Sequence, residues 1–353
     1  MSYFHQALTE IVEKIAIDGD LTISHPDYPP LITNPETLSK LQQISLELQL
    51  KYLIAQVQQY LHDIYFSHSL ITNQELDTAA KQHYPVKNNM VDGIDIDFYQ
   101  RLQQSNTSRG YFDPGWEIIA PTDRGELIVA KNGLHLHIDP HQHLLPEVVG
   151  RASLQENRAV GTNFPIYLPP NLVGRDTYIA IGNAGLPDSE SIEIYFNFTP
   201  DAAVEICRAL TIELNRLGVP FQFAILHDPA LFHRYDAGTL ELSQVDYQLV
   251  RPVLAEIYQT HQGAFSEPVP LFSKQLAPGL GLVETTAFDP FGLHRCHLVA
   301  TGLVLATRQG QTTSAEKLDS IEREFGAAEI NLEQPYLNLA GVVGENRYCL
   351  LFG

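Results

Sequence analysis

The sequence predicts an α+β fold in which a helical N-terminal part packs on a mixed or antiparallel sheet with flanking helices. Two observations predict it. Apolar residues recur at helical spacing up to about residue 97, and short segments of alternating polarity, separated by turn signals, follow. We therefore divide the chain into a helical N-terminal region, residues 1–97, and an α+β domain, residues 98–353.

The N-terminal region contains three stretches with helical spacing. The first runs from Leu8 to Ile15, and Gly19 and the prolines of 26–30 then break the pattern. The second covers about 36–48, and the third covers 52–65. Residues 1–100 hold 13 acidic residues against 5 basic ones, so this region is strongly negative.

A β-hairpin is the clearest element of the second region. The segments 126–131 and 134–138 flank Asn132-Gly133, a dipeptide typical of two-residue turns because both positions need a positive φ. Opposed pairing places the apolar residues, among them Val129 and Leu136, on one face of the hairpin. It places His135 and His137 on the other face.

Further strands and helices follow along the chain. One predicted helix has clear start and stop signals, with Thr199 as N-cap, Pro200 in the first turn and Gly218 past the end. The apolar stripe of this helix contains Cys207, which indicates a core thiol rather than a nucleophile. We predict strands at 177–182, 191–198, 221–226 and 239–242, and helices at 200–217, 243–261, 298–307 and 314–325.

Charge and composition exclude several classes of protein. The 353 residues include 42 acidic and 22 basic ones, a formal net charge of -20, without a Lys/Arg run that could attract nucleic acid. No apolar segment approaches the ~18 residues of a membrane span, and no secretory signal is visible. Three cysteines without a CxxC pair indicate reduced thiols in a cytoplasmic protein. A type III secretion signal would leave no trace by these criteria.

Four histidines form the most conspicuous cluster: His135, His137, His141 and His143. Two-residue spacing on a strand places the first two on one face, as a metal site would require. Asp139 and the proline after it predict the end of the strand, so the other two need not converge. The interpretations are structural or solvated histidines, a proton-transfer role for one of them, or a metal site.

Three cations in the C-terminal half lie among aromatic or glycine residues: Arg234, Lys274 and Arg295. In a chain this acidic, isolated cations in apolar sequence favour the binding of one buried anion, and planar guanidinium groups suit phosphate. The alternative for Arg234 is an ion pair with a nearby aspartate such as Asp236. A glycine-rich stretch at 279–281 lacks the rest of a dinucleotide or P-loop fingerprint, so nucleotide binding is not supported.

Six motifs in a fixed order, over roughly residues 100–310, resemble the HopA-type effector family. They are GYFDPGW at 110–116, IGNAG at 181–185, IYFN at 194–197, RYD at 234–236, KQLAPGLG at 274–281 and FGLHRC at 291–296. The family takes its name from a type III secreted effector of plant pathogens. Related proteins act as lyases in the biosynthesis of class V lanthipeptides and thioamidated peptides.

The resemblance implies a phosphoserine/phosphothreonine lyase. A kinase-like partner phosphorylates Ser or Thr of a precursor peptide, and the lyase eliminates phosphate to leave dehydroalanine or dehydrobutyrine. Such an elimination needs a base for the Cα proton, cations for the phosphate and an acid for the leaving oxygen. It needs no metal or cofactor, so we expect none.

The resemblance also implies roles for particular residues. Arg234, Arg295 and Lys274 match basic positions of the family and are expected to bind the phosphate. His137 is the expected acid. The residues expected to contact the substrate are Tyr195, Asn197, Asn183 and Tyr235.

Ala224 departs from the family pattern, which implies a lysine at this position as the eliminating base. Alanine cannot abstract a proton. The chain is then an engineered inactive lyase, a natural pseudoenzyme, or an enzyme that uses another base such as Lys274.

Three hypotheses for the function follow from these observations. The leading one is phospho-Ser/Thr elimination on a precursor peptide. The alternative is a non-catalytic phosphopeptide- or partner-binding module, either a subunit of a kinase complex or an effector that engages a host protein. A metal-dependent hydrolase that uses the histidine cluster is the third.

Overall fold

A computed structural model describes residues 3–75, 90–91, 93–146, 163–188, 190–285, 290–338 and 348–352. It confirms the predicted α+β class. The division of the chain at residue 97 stays a prediction. In the described part, residues of the N-terminal helices and of the later sheet and helices pack in one hydrophobic core.

The helices of the described ranges surround the sheets. None of them combines the length and apolar composition that crossing a bilayer requires. The helices are α1 (Tyr3–Lys14), α2 (Pro35–Leu41), α3 (Leu46–Leu61), α4 (Ile96–Ser105), α5 (Pro140–His143), α6 (Pro200–Leu217), α7 (Tyr247–His261), α8 (Phe291–Arg308) and α9 (Ser314–Ala327), with a π-helix at His62–Phe66.

Antiparallel pairing joins all strands that the structure describes. Three small N-terminal strands form one sheet: β1 (Ala16–Ile17), β2 (Ile23–His25) and β3 (Tyr28–Leu31). Two more pair with each other: β4 (Met90–Val91) and β5 (Ile94–Asp95). A sheet called here the small sheet contains β6 (Tyr111–Pro121), β7 (Leu127–Lys131), β8 (Leu134–Ile138) and β9 (Asn163–Leu168).

The large sheet lies at the centre of the molecule, with the strand order β10-β11-β13-β14-β12-β16-β15 in the described residues. Its strands are β10 (Asn171–Val173), β11 (Thr177–Ile181), β12 (Ser191–Phe196), β13 (Phe221–Leu226), β14 (Gly238–Ser243), β15 (Lys274–Ala277) and β16 (Leu280–Thr285). The four strands predicted from alternation are therefore confirmed, with small shifts at their ends.

The two faces of the large sheet differ because successive side chains of a strand point to opposite sides. One face, called the covered face, is apolar and fully buried under helices; in α4, for example, Tyr99 meets the ring of Tyr178 at 5.3 Å. One row across this face consists of residues that are 0% exposed: Ala180, Phe223, Leu240, Ile194 and Leu282.

Several predicted elements are confirmed, and their local chemistry is visible. Asn132 and Gly133 have φ values of 50° and 82°, as the hairpin turn requires. Cys207 is buried in α6, and Gly218 ends that helix in the left-handed region with φ 71°. Asp139 ends β8 and caps α5, accepting a hydrogen bond from the backbone N–H of His141 at 2.9 Å.

Three predicted helix boundaries are wrong. The break between the second and third helices lies at 42–45, because the Ser45 hydroxyl accepts a bond from the Leu48 N–H and starts α3 there. The helix predicted to begin at Ser243 begins at Tyr247 after a short 3-10 turn. Helix α8 begins at Phe291 rather than near residue 298.

Candidate functional site

The second face of the large sheet, called the open face, is polar and only half-buried along four neighbouring strands, β11, β13, β14 and β12. Its β12–β16 end is closed by the π-helix, where the Phe66 ring contacts the rings of Tyr195 at 5.4 Å and Phe291 at 6.3 Å. The half-buried residues of the open face are Thr177, Ile179, Gln222, Ala224, Thr239, Glu193 and Glu241.

Two glutamates lie directly opposite each other on the open face. Glu193 in β12 and Glu241 in β14 are register partners. The Tyr195 hydroxyl donates to Glu193, and the Ser191 hydroxyl donates to Glu241 at 2.8 Å. The Gln222 amide also donates to Glu241. Among the described residues, no Lys or Arg forms an ion pair with either carboxylate.

The pair is electrostatically unfavourable as it stands. Like charges directly opposite each other on a sheet are destabilising, so the fold keeps Glu193 and Glu241 together at a cost. The pKa of Glu193 is raised to about 7, mainly by burial and in smaller part by the charges of Glu241 and Asp236. The hydrogen bond from Tyr195 lowers that pKa in part. Glu193 therefore gains or loses its proton near neutral pH.

Ala224 lies next to this carboxylate pair. It is the register partner of Ile179 in β11 and of Thr239 in β14, and its side chain belongs to the open face. Glu241 stands two residues beyond Thr239, in the diagonal position that long side chains of a neighbouring strand can reach. The lysine that the family resemblance implies at position 224 would therefore reach Glu241.

Arg234 lies in the connection between β13 and β14, and it pairs with Asp236. The guanidinium Nε and Nη2 atoms lie 2.8 and 2.9 Å from the two carboxylate oxygens. Burial lowers the pKa of Arg234, but the hydrogen bonds and charge of Asp236 outweigh it, and the net direction is upward. The ion pair that the sequence left open as an alternative is thus present.

Lys274 and Arg295 contact a different part of the chain. Arg295 is 2% exposed and donates to the carbonyls of Pro335 at 2.9 Å and Leu337 at 2.8 Å, with its guanidinium above the Phe291 ring. Burial lowers its pKa to about 10. The Lys274 ammonium lies 5.4 Å from the ring centroid of Tyr336, and burial lowers its pKa.

The described contacts therefore do not bring the three cations together. Lys274 and Arg295 both contact residues within 335–338, whereas Arg234 contacts Asp236. Position 224 and Arg234 lie with the open face, and the other two cations contribute to the packing of the C-terminal part.

His137 lies in the small sheet, which has a hydrophobic core of its own. The side chain is exposed, and its Nδ1 atom is 3.7 Å from a carboxylate oxygen of Glu126. His135 is exposed on the same strand. In the part of the chain that the structure describes, no group of three or more His, Cys, Asp or Glu side chains could hold a metal ion.

The residues expected to contact a substrate are spread over the molecule. Tyr195 is buried beside Glu193 and belongs to the site. The Asn197 amide donates to the Pro268 carbonyl at 2.9 Å, and the Asn183 side chain accepts from the Arg109 N–H at 2.7 Å, so both join loops to the sheet. Tyr235 points elsewhere and stacks on His68 with 4.5 Å between ring centroids.

The carboxylate pair was not among the residues that sequence reasoning selected. The alternation in 191–198 does place the Glu193 side chain on the face of the sheet opposite to the apolar residues. The same holds for Glu241 in its own strand. Their juxtaposition depends on β12 pairing with β14, although β13 lies between them in sequence. Single-sequence periodicity contains no signal for that pairing.

Comparison with known proteins finds a family model that matches the part of the chain containing the large sheet. Residues 168–337 match the model of the HopA1 effector protein family. Two effector proteins of known structure from Pseudomonas syringae are similar, one from pv. tomato strain DC3000 and one from pv. syringae strain 61. The first has 14% identity, a TM-score of 0.41, and covers 76% of this chain and 90% of its own. The second has 13% identity, a TM-score of 0.41, and covers 83% and 98%.

No residue of the chain takes a role from either structure, since the similarity is low. The search of curated proteins found no match. The family match agrees with the resemblance predicted from the six motifs, and it covers the large sheet from β10 to β16 together with α6, α7 and α8.

Proposed function

We propose that the chain, whose residues 168–337 match the HopA1 effector protein family model, is a peptide-binding protein that does not eliminate phosphate. In this proposal, the open face receives a lysine or arginine side chain of a partner peptide between Glu193 and Glu241. The observation that carries the proposal is the direct opposition of these two carboxylates without a described cationic partner.

A cation from a partner would remove the unfavourable contact. A lysine ammonium or an arginine guanidinium between the two carboxylates would form charge-assisted hydrogen bonds, which are stronger than neutral ones. It would also replace the repulsion between Glu193 and Glu241 by attraction, and it would lower the raised pKa of Glu193. The half-buried position supports this further, because charges interact more strongly where water is partly excluded.

Ala224 makes room for the cation of a partner. A lysine at this position would supply an internal ammonium to Glu241, and the pair would then need no external one. The methyl group of Ala224 is too short to reach Glu241 and carries no charge. Thr239 and Ile179, the register partners of Ala224, carry no charge. Binding of a partner's cation would therefore account both for alanine at position 224 and for the opposed carboxylates of Glu193 and Glu241.

Binding to a synthetic peptide array tests this proposal. Each peptide with a Lys or Arg is paired with a version that carries Gln instead, and the wild-type protein should retain the basic member of a subset of pairs. Glu241→Gln should reduce that retention about tenfold, as expected for a lost charge-assisted contact. Glu190→Gln, an exposed residue just before β12, is the control with the same change of charge. Equal retention by the wild type and Glu241→Gln would overturn the proposal.

Phosphate elimination is the second candidate, and one observation favours it. Glu193, whose pKa is about 7, accepts a hydrogen bond from Tyr195, and burial and the nearby carboxylates raise the pKa of Tyr195 so that it stays a donor. Arg234 lies on the same side of the sheet. In this candidate a base takes the Cα proton, the C–C double bond forms, the Cβ–O bond breaks and phosphate leaves.

The substrate in this second case would be a phosphorylated precursor peptide supplied by a kinase-like partner. Mass spectrometry distinguishes the candidates: phosphopeptides incubated with the wild type keep their mass under the first proposal. Loss of the mass of one phosphoric acid, with a dehydrated residue left behind, would establish the second. If Ala224→Lys also produces no loss on peptides that bind, the lyase candidate is abandoned.

A further inference from the structure

A cavity of about 370 Å³ lies between α1, the π-helix and the loop at 268–271. Three tyrosines line it, namely Tyr28, Tyr65 and Tyr235. The remaining lining consists of aliphatic side chains, the Gln6 amide and the Glu10 carboxylate. The volume is within the range of small-molecule sites. The aliphatic part of the wall is formed by Ala7, Ile64, Pro268, Val269 and Leu271.

Two histidines hold the tyrosines in place. The His25 ring lies 4.9 Å from the Tyr28 ring, and its Nε2 atom is 3.0 Å from the Tyr65 hydroxyl. The His68 ring stacks on Tyr235 with centroids 4.5 Å apart and meets the edge of Tyr28 at 6.3 Å. Burial raises the pKa of Tyr28 and of Tyr65, so the rings stay neutral. The aromatic walls are therefore fixed and uncharged.

Glu10 supplies a carboxylate to the cavity. Among its described lining residues, Glu10 is the one with a formal charge. The Lys14 ammonium lies 2.8 Å from the Glu10 carboxylate, but it lines a neighbouring cavity of about 400 Å³. Lys14 also lies 3.1 Å from Asp27. The Lys14 ammonium thus pairs with Glu10, which lines both cavities, and with Asp27, which lines the neighbouring one.

This site is separate from the open face. Residues 234–236 stand between the two: Arg234 pairs with Asp236, whose charge raises the pKa of Glu193, whereas Tyr235 lines the cavity. A variant that loses binding at the cavity can therefore still be tested for peptide binding at the open face, and the reverse also holds.

We propose that the tyrosine-lined cavity binds a quaternary ammonium group, such as that of choline or of a trimethylated lysine. Aromatic rings attract cations through their negative faces, and the interaction is strongest for a cation that water solvates weakly. Methyl groups on nitrogen need no acceptor, and they pack against Val269 and Leu271.

Isothermal titration calorimetry with choline and its neutral isostere tests the proposal on the full chain. The isostere is dimethylbutanol, in which a tert-butyl group replaces the trimethylammonium group at nearly the same size. We expect choline to bind at least about tenfold more tightly than the isostere, since only the charge differs. Equal binding of the two, or no binding of choline, would overturn the proposal.

Two variants with a matched control locate the binding. Glu10→Gln, at an exposed position, should weaken choline binding about threefold, and Glu13→Gln on the same helix should leave it unchanged. Tyr28→Leu should weaken it about fivefold or more. If Tyr28→Leu does not fold, Ala7→Phe, which fills the cavity from α1, should abolish binding. Choline binding that persists in Ala7→Phe, or an equal loss in Glu10→Gln and Glu13→Gln, would contradict the site. Glu241→Gln should bind choline like the wild type.

Discussion

The two faces of the large sheet are formed by the same strands but differ in burial and polarity. On the covered face, Phe223 and Leu240 lie in a row that is 0% exposed. One residue further along the same strands, Ala224 and Thr239 lie half-buried on the open face. The covered face carries the hydrophobic core, and the open face carries polar groups next to the carboxylate pair.

The difference shows how stability and binding are divided within single strands. Side-chain direction has a period of two, so neighbouring residues of one strand belong to different environments. Substitutions at alternate positions should therefore act on different properties. Covered-face substitutions should change the free energy of unfolding, and open-face substitutions should change the affinity for ligands.

A lysine on the covered face should lower the free energy of unfolding more than any other substitution considered. Ala180→Lys places an ammonium in a fully buried position of β11, where no acceptor of opposite charge is described. We expect a loss of more than about 4 kcal/mol, enough to prevent cooperative folding. Ala224→Lys on the open face should change the free energy of unfolding by less than about 1 kcal/mol. Urea unfolding followed by circular dichroism measures both; similar losses would show that the faces do not differ.

Truncation of an aromatic side chain should have the next largest effect. Phe223→Ala removes a fully buried ring and should cost about 3–5 kcal/mol through lost burial and the cavity left behind. Thr239→Ala, on the adjacent strand but on the open face, should cost at most about 1 kcal/mol. Thermal unfolding of the two variants side by side checks the ratio. A larger cost for Thr239→Ala would assign a structural role to the open face.

Replacing Arg295 or Arg234 by lysine should change the free energy of unfolding by an intermediate amount. A lysine at position 295 cannot reach both the Pro335 and the Leu337 carbonyls, so Arg295→Lys should cost about 1–3 kcal/mol. A lysine at position 234 can still pair with Asp236, and Arg234→Lys should cost less than about 1 kcal/mol. The measurement is unfolding together with phosphopeptide titration. An Arg295→Lys variant of normal stability that loses phosphopeptide affinity would place Arg295 in a phosphate site.

The smallest expected effect is the pH dependence that Glu193 introduces. Its pKa is about 7 in the fold and about 4.5 in an unfolded chain, so the folded state holds the proton more tightly. The stability that this group contributes is fully present below pH about 4.5, and it is lost as the pH rises toward 7. We expect a decline of about 1–2 kcal/mol across this window, relative to Glu193→Gln. Parallel pH profiles for the wild type and Glu193→Gln would contradict the raised pKa.

Local patterns explain which parts of this structure the sequence could predict. The Asn132-Gly133 turn and the capped helix that ends at Gly218 depend on neighbouring residues, and both were predicted correctly. The start of α3 at Leu46 was missed because a continuous apolar pattern hides the cap at Ser45.

The candidate site could be predicted only in part. The apolar surroundings of Arg295 correctly indicated a buried cation, but they cannot distinguish an anion from backbone carbonyls as its partner. Ala224, at which the sequence departs from the family pattern, lies on the open face. The opposition of Glu193 and Glu241 needs the pairing of β12 with β14, which is a contact between strands that are not consecutive.

The proposed binding of a partner's cation to the open face depends on position 224 supplying no cation of its own. Fluorescence anisotropy of the basic array peptide that the wild type retains most strongly tests it directly, with Ala224→Lys as the variant and Ala224→Gln as the uncharged control. An internal ammonium next to Glu241 should compete with the peptide, so we expect at least about tenfold weaker binding to Ala224→Lys and a small change for Ala224→Gln. Binding to Ala224→Lys as tight as to the wild type would contradict the claim.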